Sequence, residues 1–455
     1  MTGGGNGKGL KVRTAERLDP ERTAFLIILI TSIIKMFFAL KGIFCITDHD
    51  IQLIDINTMK LGDTGHPGYI DYLIEHMAFP PIIKEFTSYP PQFYHPPVFY
   101  IIGAVIKSIA CALGASDMIA YEIIQQFNML FSCLCVIVCH KIIRRIGIGG
   151  WTGTALITFI ACNPIFLIIG AELNNDCLMT LFCLLAIYFT LCWHESRSTK
   201  DILLAALTLA LGMLTKTSAV LIAPAMGLVF LYDLVNDIRQ KKLGEKKTVP
   251  QFILFGIVSI PLGLSWVLRN LIVYKVPFSY VPRLPGGTWQ YTGDIPLVSR
   301  LLVPSVRQFT TCSTDLSDTA HFNNIFGQSM QSMLFDEGIL YEPDPVTPIV
   351  MMWLMTALVI LIAVLFICFL FSSKEALHLR LMLGGAVIVP VISFIVFYLQ
   401  YPYICTVHVR YIVTSVVCLA VGAAAFVRHR EKCSKIFVLL CFAASFAATF
   451  DYILY

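Results

Sequence analysis

Nine apolar runs, at roughly 23–45, 122–143, 150–169, 177–194, 250–272, 348–371, 379–400, 410–427 and 434–452, come near or exceed the length a helix needs to cross a bilayer, about 20 residues. A tenth region, 201–235, is longer than one span and breaks at Thr215-Lys216-Thr217-Ser218, so it reads as two short spans. The chain is therefore expected to be an all-α polytopic membrane protein with about eleven transmembrane helices. Composition agrees: 57% of its residues are hydrophobic, only 14% are charged, and the mean hydropathy is +0.76. No soluble fold of this size is so apolar.

Charge placement then sets topology. The formal net charge is only +4, so the position of the 33 Lys and Arg residues matters more than their sum. Short loops rich in Lys and Arg mark the cytoplasmic side. With the basic arm 1–22 inside, five clusters also fall inside if the apolar segment 97–115 is not a span. They are Lys141/Arg144/Arg145, Arg197/Lys200, Arg239 to Lys247, Lys374/Arg380 and Arg428 to Lys435; with the arm they hold 21 of the 33 basic residues. Counting 97–115 as a span puts all five outside. It is short, carries Lys107 in its middle and begins with His95-Pro96-Pro97, so an interfacial or re-entrant helix is predicted there. The expected organisation is a cytoplasmic arm 1–22, a membrane module 23–272 with an outer loop 46–121, a second outer loop 273–347, and C-terminal spans over 348–455. The polar arm and the missing small-residue cleavage site exclude a cleavable signal. Most of the fifteen cysteines sit in apolar runs, with neither CxxC nor zinc spacing, and read as small buried hydrophobes.

Titratable groups gather on the expected outer face. Asp48-His49-Asp50 follows the first span, where a partly desolvated carboxylate is suited to take a proton from an acceptor; solvated helix ends are the plainer account. Gly62 to Gly68 predicts a shaped turn and Tyr69 to Met77 a short amphipathic helix on the membrane surface. His66 in that turn is equally a structural hydrogen-bonder or a site residue. Tyr94 and His95 stand at the start of the interfacial helix, where proline chemistry accounts for Pro96 and Pro97 but not for them. Glu172-Leu173-Asn174-Asn175-Asp176 precedes the fourth span; Asn175 or Asp176 either caps that helix or Asp176 is a second site carboxylate. Lys216, Arg269 and Arg410-Tyr411 bring cations to the same face, with His408 two residues before Arg410. Snorkelling explains Arg269 in bland terms, but ionisable groups at membrane depth are functional by default, and a phosphate headgroup supplies the reason for such cations. Lys35, inside the first span, has no account at this level. No GxxxxGK[ST], GxGxxG or HExxH motif is present, which argues against ATP hydrolysis and hydride transfer. A divalent metal is compatible with the outer Asp, His and Glu residues, although no spacing is diagnostic of a site for one; no other cofactor and no nucleic-acid partner is called for.

The ordered set His49-Asp50, Gly65-His66-Pro67-Gly68-Tyr69-Ile70, Gln92 to Pro97, Asn174-Asn175-Asp176, Thr215-Lys216, Arg269-Asn270 and Arg410-Tyr411 resembles bacterial GT-C fold membrane glycosyltransferases, the superfamily of protein O-mannosyltransferases and aminoarabinose transferases. The resemblance runs from about residue 23 to about 285 and resumes near Arg410. It implies a GT-C fold and transfer of a sugar, usually with inversion, from a polyprenyl-phosphate donor to a glycan, lipid or protein acceptor on the outer face of the plasma membrane. It implies that Asp50, with Asp48 the second candidate, acts as general base, and that Arg269, Arg410 and Lys216 hold the donor phosphate. Asp176 joins the catalytic set, and His66, Tyr94, His95, Glu172, Asn175 and Tyr411 line the site. Many relatives have Asp-Glu after the first span where this chain has Asp-His-Asp. Their longer outer C-terminal module is missing here or built from 273–347. A transporter for lipid-linked sugars would also place cations at membrane depth. It should show paired broken helices, and only the break near Lys216 is visible. A purely structural membrane subunit is the third reading, in which the outer carboxylates have no task.

Overall fold

A computed structural model describes residues 19–42, 65–84, 92–242, 247–278, 280–284, 288–311, 317–336 and 346–454. Ten helical segments among them are long and apolar enough to cross a membrane. In chain order the helices are α1 Pro20–Lys41, α2 Gly65–His76, α3 Val98–Ala112, α4 Asp117–Arg145, α5 Gly150–Ala161, α6 Pro164–Ala171, α7 Asp176–Ser196, α8 Thr199–Thr215, α9 Ala223–Arg239, α10 Thr248–Tyr274, α11 Leu297–Leu301, α12 Ile325–Leu334, α13 Val346–Leu370, α14 Leu377–Gln400, α15 Val413–Val427 and α16 Glu431–Leu454. The fold is all-helical, as expected. The predicted eleventh span is α8, whose 17 residues reach about 25 Å at 1.5 Å each.

Local chemistry sets the helix starts. Asp19 accepts from the Glu21 amide before Pro20, Ser116 from that of Ile119, and Ser198 from that of Lys200. The third run is split: Asn163 accepts from the Ile165 amide and Pro164 opens α6, which divides one span into α5 and α6. One correction falls on α2. The glycines and proline of 65–68 predict a turn, yet they form the helix's first turn. The helix is amphipathic, as expected: Tyr69, Ile70 and Leu73 are buried while Glu75 and His76 are exposed.

The basic clusters share one end of the bundle. Arg144 pairs with Glu21, Arg145 with Glu195 at 2.8 Å, Arg428 with Glu375 at 2.8 Å, and Arg197 with Asp233 and with Asp237 at 3.1 Å. The long loops leave from the other end, called here the loop end. Both ends of α3 lie there. Just before its start, the Tyr94 carbonyl accepts from Trp266 Nε1 in the last turns of α10 at 3.3 Å. Near its finish, Lys107 reaches Asp117 at the start of α4 at 3.2 Å. So α3 does not cross. Lys107 is buried between helices and bonds Asp71 of α2 at 2.5 Å and the Tyr121 hydroxyl at 3.1 Å. It thereby ties α2, α3 and α4 together. Lys107→Met is expected to lower stability by about 2 kcal/mol, below the full cost of breaking a buried pair because Asp71 keeps some water. Thermal unfolding in detergent checks this; an unchanged Tm would mean the tie contributes nothing.

Two further features are structural. Lys35 is buried in α1, with its ammonium 5.4 Å from the centre of the Phe166 ring. The cysteines of the described residues are all free. In the second loop, Tyr291 and Tyr403 form an antiparallel bridge, Thr292 N donates to Pro402 O at 2.8 Å, and the Tyr398 hydroxyl donates to Asn323 O at 2.5 Å. That loop is thus packed onto the end of α14 and the segment leading into α15.

Candidate active site

A polar stripe on α4 builds the floor of the site. Gln125 and Asn128, three residues apart, face one way. Gln125 Nε2 donates to Ala171 O at 2.8 Å, and Asn128 Nδ2 donates to Ile169 O and Glu172 O at 2.9 and 2.7 Å. The carbonyls that α6 leaves open at its C-terminus are satisfied in this way, and the turn 172–175 is held buried between two apolar helices. Non-helical backbone at membrane depth is tolerated only when buried or lining a cavity. Within the turn, Asn174 performs the capping expected of Asn175 or Asp176: its Oδ1 accepts from the Asp176 amide at 3.0 Å while its Nδ2 bonds the Glu172 carboxylate. Asn175 instead spans to Thr215 O at 3.0 Å, which fixes the end of α8 beside α7.

This brings Asp176 and Lys216 together. Lys216 Nζ lies 2.6 Å from Asp176 Oδ1, and Arg410 Nε lies 3.7 Å from Asp176 Oδ2. Both charges suit their helices: Asp176 opens α7, and Lys216 terminates α8 in extended backbone, each complementing a macrodipole. Tyr411 packs under the cations, with Lys216 4.9 Å and Arg410 5.3 Å from its ring centre. Asp176 and Lys216 are both buried. Asp176 is thus flanked by two cations, an Arg and a Lys of the kind that bind phosphate oxygens.

The aromatic wall comes from α2 and the approach to α3. His66 Nδ1 hydrogen-bonds the Tyr100 hydroxyl at 2.8 Å, and its ring stacks at 5.9 Å on His95, which packs at 4.2 Å against Tyr94. Burial drives the His95 pKa well below the ordinary histidine value, and the positive charge of Lys216, then His66 and Arg410, pushes it the same way. His95 therefore stays neutral in the folded protein. Its folded pKa lies below the unfolded value of about 6.5, so it costs no stability above that pH and an increasing amount as pH falls through it. His95→Asn is expected to reduce the loss of Tm between pH 7.5 and pH 5. Equal losses in both proteins would remove His95 as the cause.

The other candidates fall as follows. Asp48 and Asp50 lie outside the described residues. Arg269 takes partners of its own: Nη2 donates to Pro80 O at 2.8 Å, and the guanidinium stacks on Trp266 at 4.4 Å and Tyr274 at 5.0 Å. It braces the segment between α2 and α3. Glu172 is wholly buried under Asn174. Tyr100, Asn174 and Asp336 escaped the sequence reading. Asn174 lay within a quoted motif, while Tyr100 and Asp336 carry no local signal. Among the described residues no three His, Cys, Asp or Glu side chains converge as a metal site.

Residues 94–266 match the family model described as dolichyl-phosphate-mannose-protein mannosyltransferase. Over those residues the chain is similar to that mannosyltransferase family. The matched stretch begins at Tyr94 and ends at Trp266, the two residues joined at the loop end, and it contains His95, Asp176 and Lys216. Arg410 and Tyr411 enter the site from outside the matched stretch. No curated protein matches the sequence. Among solved structures, the apo oligosaccharyltransferase of Archaeoglobus fulgidus is 11% identical with a TM-score of 0.47, over 94% of this chain and 55% of that one. ArnT from Cupriavidus metallidurans in the apo state is 13% identical, TM-score 0.38, over 89% and 77%. The same protein bound to undecaprenyl phosphate is 11% identical, TM-score 0.36, over 90% and 78%. The chain thus spans about half the length of the oligosaccharyltransferase.

Proposed function

We propose that this GT-C protein transfers a hexosyl or pentosyl group from a polyprenyl-phosphate donor to a glycan, lipid or protein acceptor, with inversion. We place the reaction at the outer face of the plasma membrane, which makes the loop end the outer end and the shared basic end cytoplasmic. The observation that carries the reading is the buried Lys216–Asp176–Arg410 cluster, which gathers an Arg and a Lys at one point, the side chains suited to a lipid phosphate. The donor class agrees with the description of the matched family, whose name contains a dolichyl-phosphate sugar.

In this reading Asp50, with Asp48 the second candidate, removes the proton from the acceptor hydroxyl or amine. The acceptor atom attacks the anomeric carbon from the side opposite the phosphate, and the carbon–oxygen bond to phosphate breaks. The polyprenyl phosphate leaves with the bonding pair and gains a negative charge. Arg410 and Lys216 meet that charge as it develops. Asp176 serves by holding the two cations in place. His66, Tyr94, His95 and Tyr411 line the sugar's side of the site. The test is transfer in membranes supplied with a polyprenyl-phosphate sugar. Asp50→Asn should lose transfer and keep donor binding; undiminished transfer refutes the assigned base.

A further inference from the structure

Arg410 does not hold its position alone. It lies in the 3-10 turn Val409–Ile412 that precedes α15. Its backbone amide donates to His408 Nδ1 at 3.0 Å. Because Nδ1 accepts, the neutral ring carries its proton on Nε2, and that nitrogen faces Asp336 Oδ1 at 2.8 Å. His408 is fully buried and Asp336 nearly so. The adjacent amide of Val409 donates to Ser332 Oγ at 3.0 Å. Two successive residues of the turn are therefore tied to one helix, α12, and to the residue just past its end.

Asp336 is in an unusual place for an aspartate. It follows the Phe335 C-cap of α12 with φ +60°, the left-handed conformation that glycine adopts without cost. Glycine there would end the helix more cheaply but would leave His408 Nε2 without this carboxylate. The chain accepts backbone strain and retains the side chain that engages His408.

We propose that Asp336 and His408 are positioning residues for Arg410, so that α12 of the second loop sets the guanidinium that receives the donor phosphate. The proposal rests on the phosphate-holding role of Arg410 given above. It makes the second loop, the segment left for acceptor recognition, mechanically continuous with the donor site.

The experiment compares undecaprenyl phosphate binding by wild type, Asp336→Gly, Arg410→Ala and the double variant in detergent, with Tm measured in parallel. Asp336→Gly removes the carboxylate and relieves the left-handed strain, so its Tm should stay level or rise. Its affinity should fall about tenfold, and the double variant should bind no more weakly than Arg410→Ala alone, as for two members of one unit. Wild-type affinity in Asp336→Gly overturns the proposal, as does a loss that adds in full to that of Arg410→Ala. A drop in Tm that tracks the loss of binding also overturns it, by making Asp336 merely structural. Wild-type affinity in Arg410→Ala sinks the phosphate reading itself, and the positioning role with it.

Discussion

Arg410→Ala is expected to weaken binding of a polyprenyl-phosphate donor about 100-fold while leaving the fold intact. Truncating one partner of a desolvated, hydrogen-bonded charge pair costs about 2–5 kcal/mol, and each 1.4 kcal/mol is about tenfold in affinity. The fold should survive because Asp176 keeps Lys216 at 2.6 Å. Lys216→Ala is a harsher change. It would leave the buried Asp176 with Arg410 at 3.7 Å as its remaining cation, and removing the close partner of a buried charge costs about 3–5 kcal/mol of stability. Arg410 is therefore the cleaner probe. Charge on the phosphate grows as the sugar bond breaks, so kcat should fall along with donor affinity, while the KM for acceptor stays level. Steady-state kinetics with both substrates varied separates these effects.

The second large effect is expected at the first loop. Asp50→Asn should reduce transfer by about 10²–10⁴-fold, the usual contribution of a positioned general base, with donor affinity unchanged. Asp48→Asn should cost less. The two readouts divide the site into a base on the acceptor side and a cation pair on the donor side. A single variant that lost both would place its residue in the shared frame instead.

Much of this was legible in the chain. The basic clusters excluded 97–115 as a span, and in the structure both ends of α3 lie at the loop end beside Trp266 and Asp117. Lys216 and Arg410, singled out as charges in or beside apolar runs, come together at Asp176 in the structure. Other features could not be read. Asp336 sits in a loop without periodicity, and its partner His408 is 72 residues away, so only tertiary packing reveals the pair. Arg269 groups with the other cations by its sequence position. In the structure its guanidinium donates to the Phe79 and Pro80 carbonyls, to Asn270 Oδ1 and to the Tyr274 hydroxyl, and the two carbonyls are partners no side-chain pattern announces. The helical start at Gly65 was hidden by two glycines and a proline, residues whose local preference is for turns but which here are overruled by the burial of Tyr69 and Ile70.

The central claim is that the Lys216–Asp176–Arg410 cluster holds a lipid phosphate. It is tested most directly by titrating undecaprenyl phosphate into purified wild-type and Arg410→Ala protein under identical conditions. The predicted result is an affinity about 100-fold lower for the variant, at unchanged Tm. Equal affinities for the two proteins would contradict it.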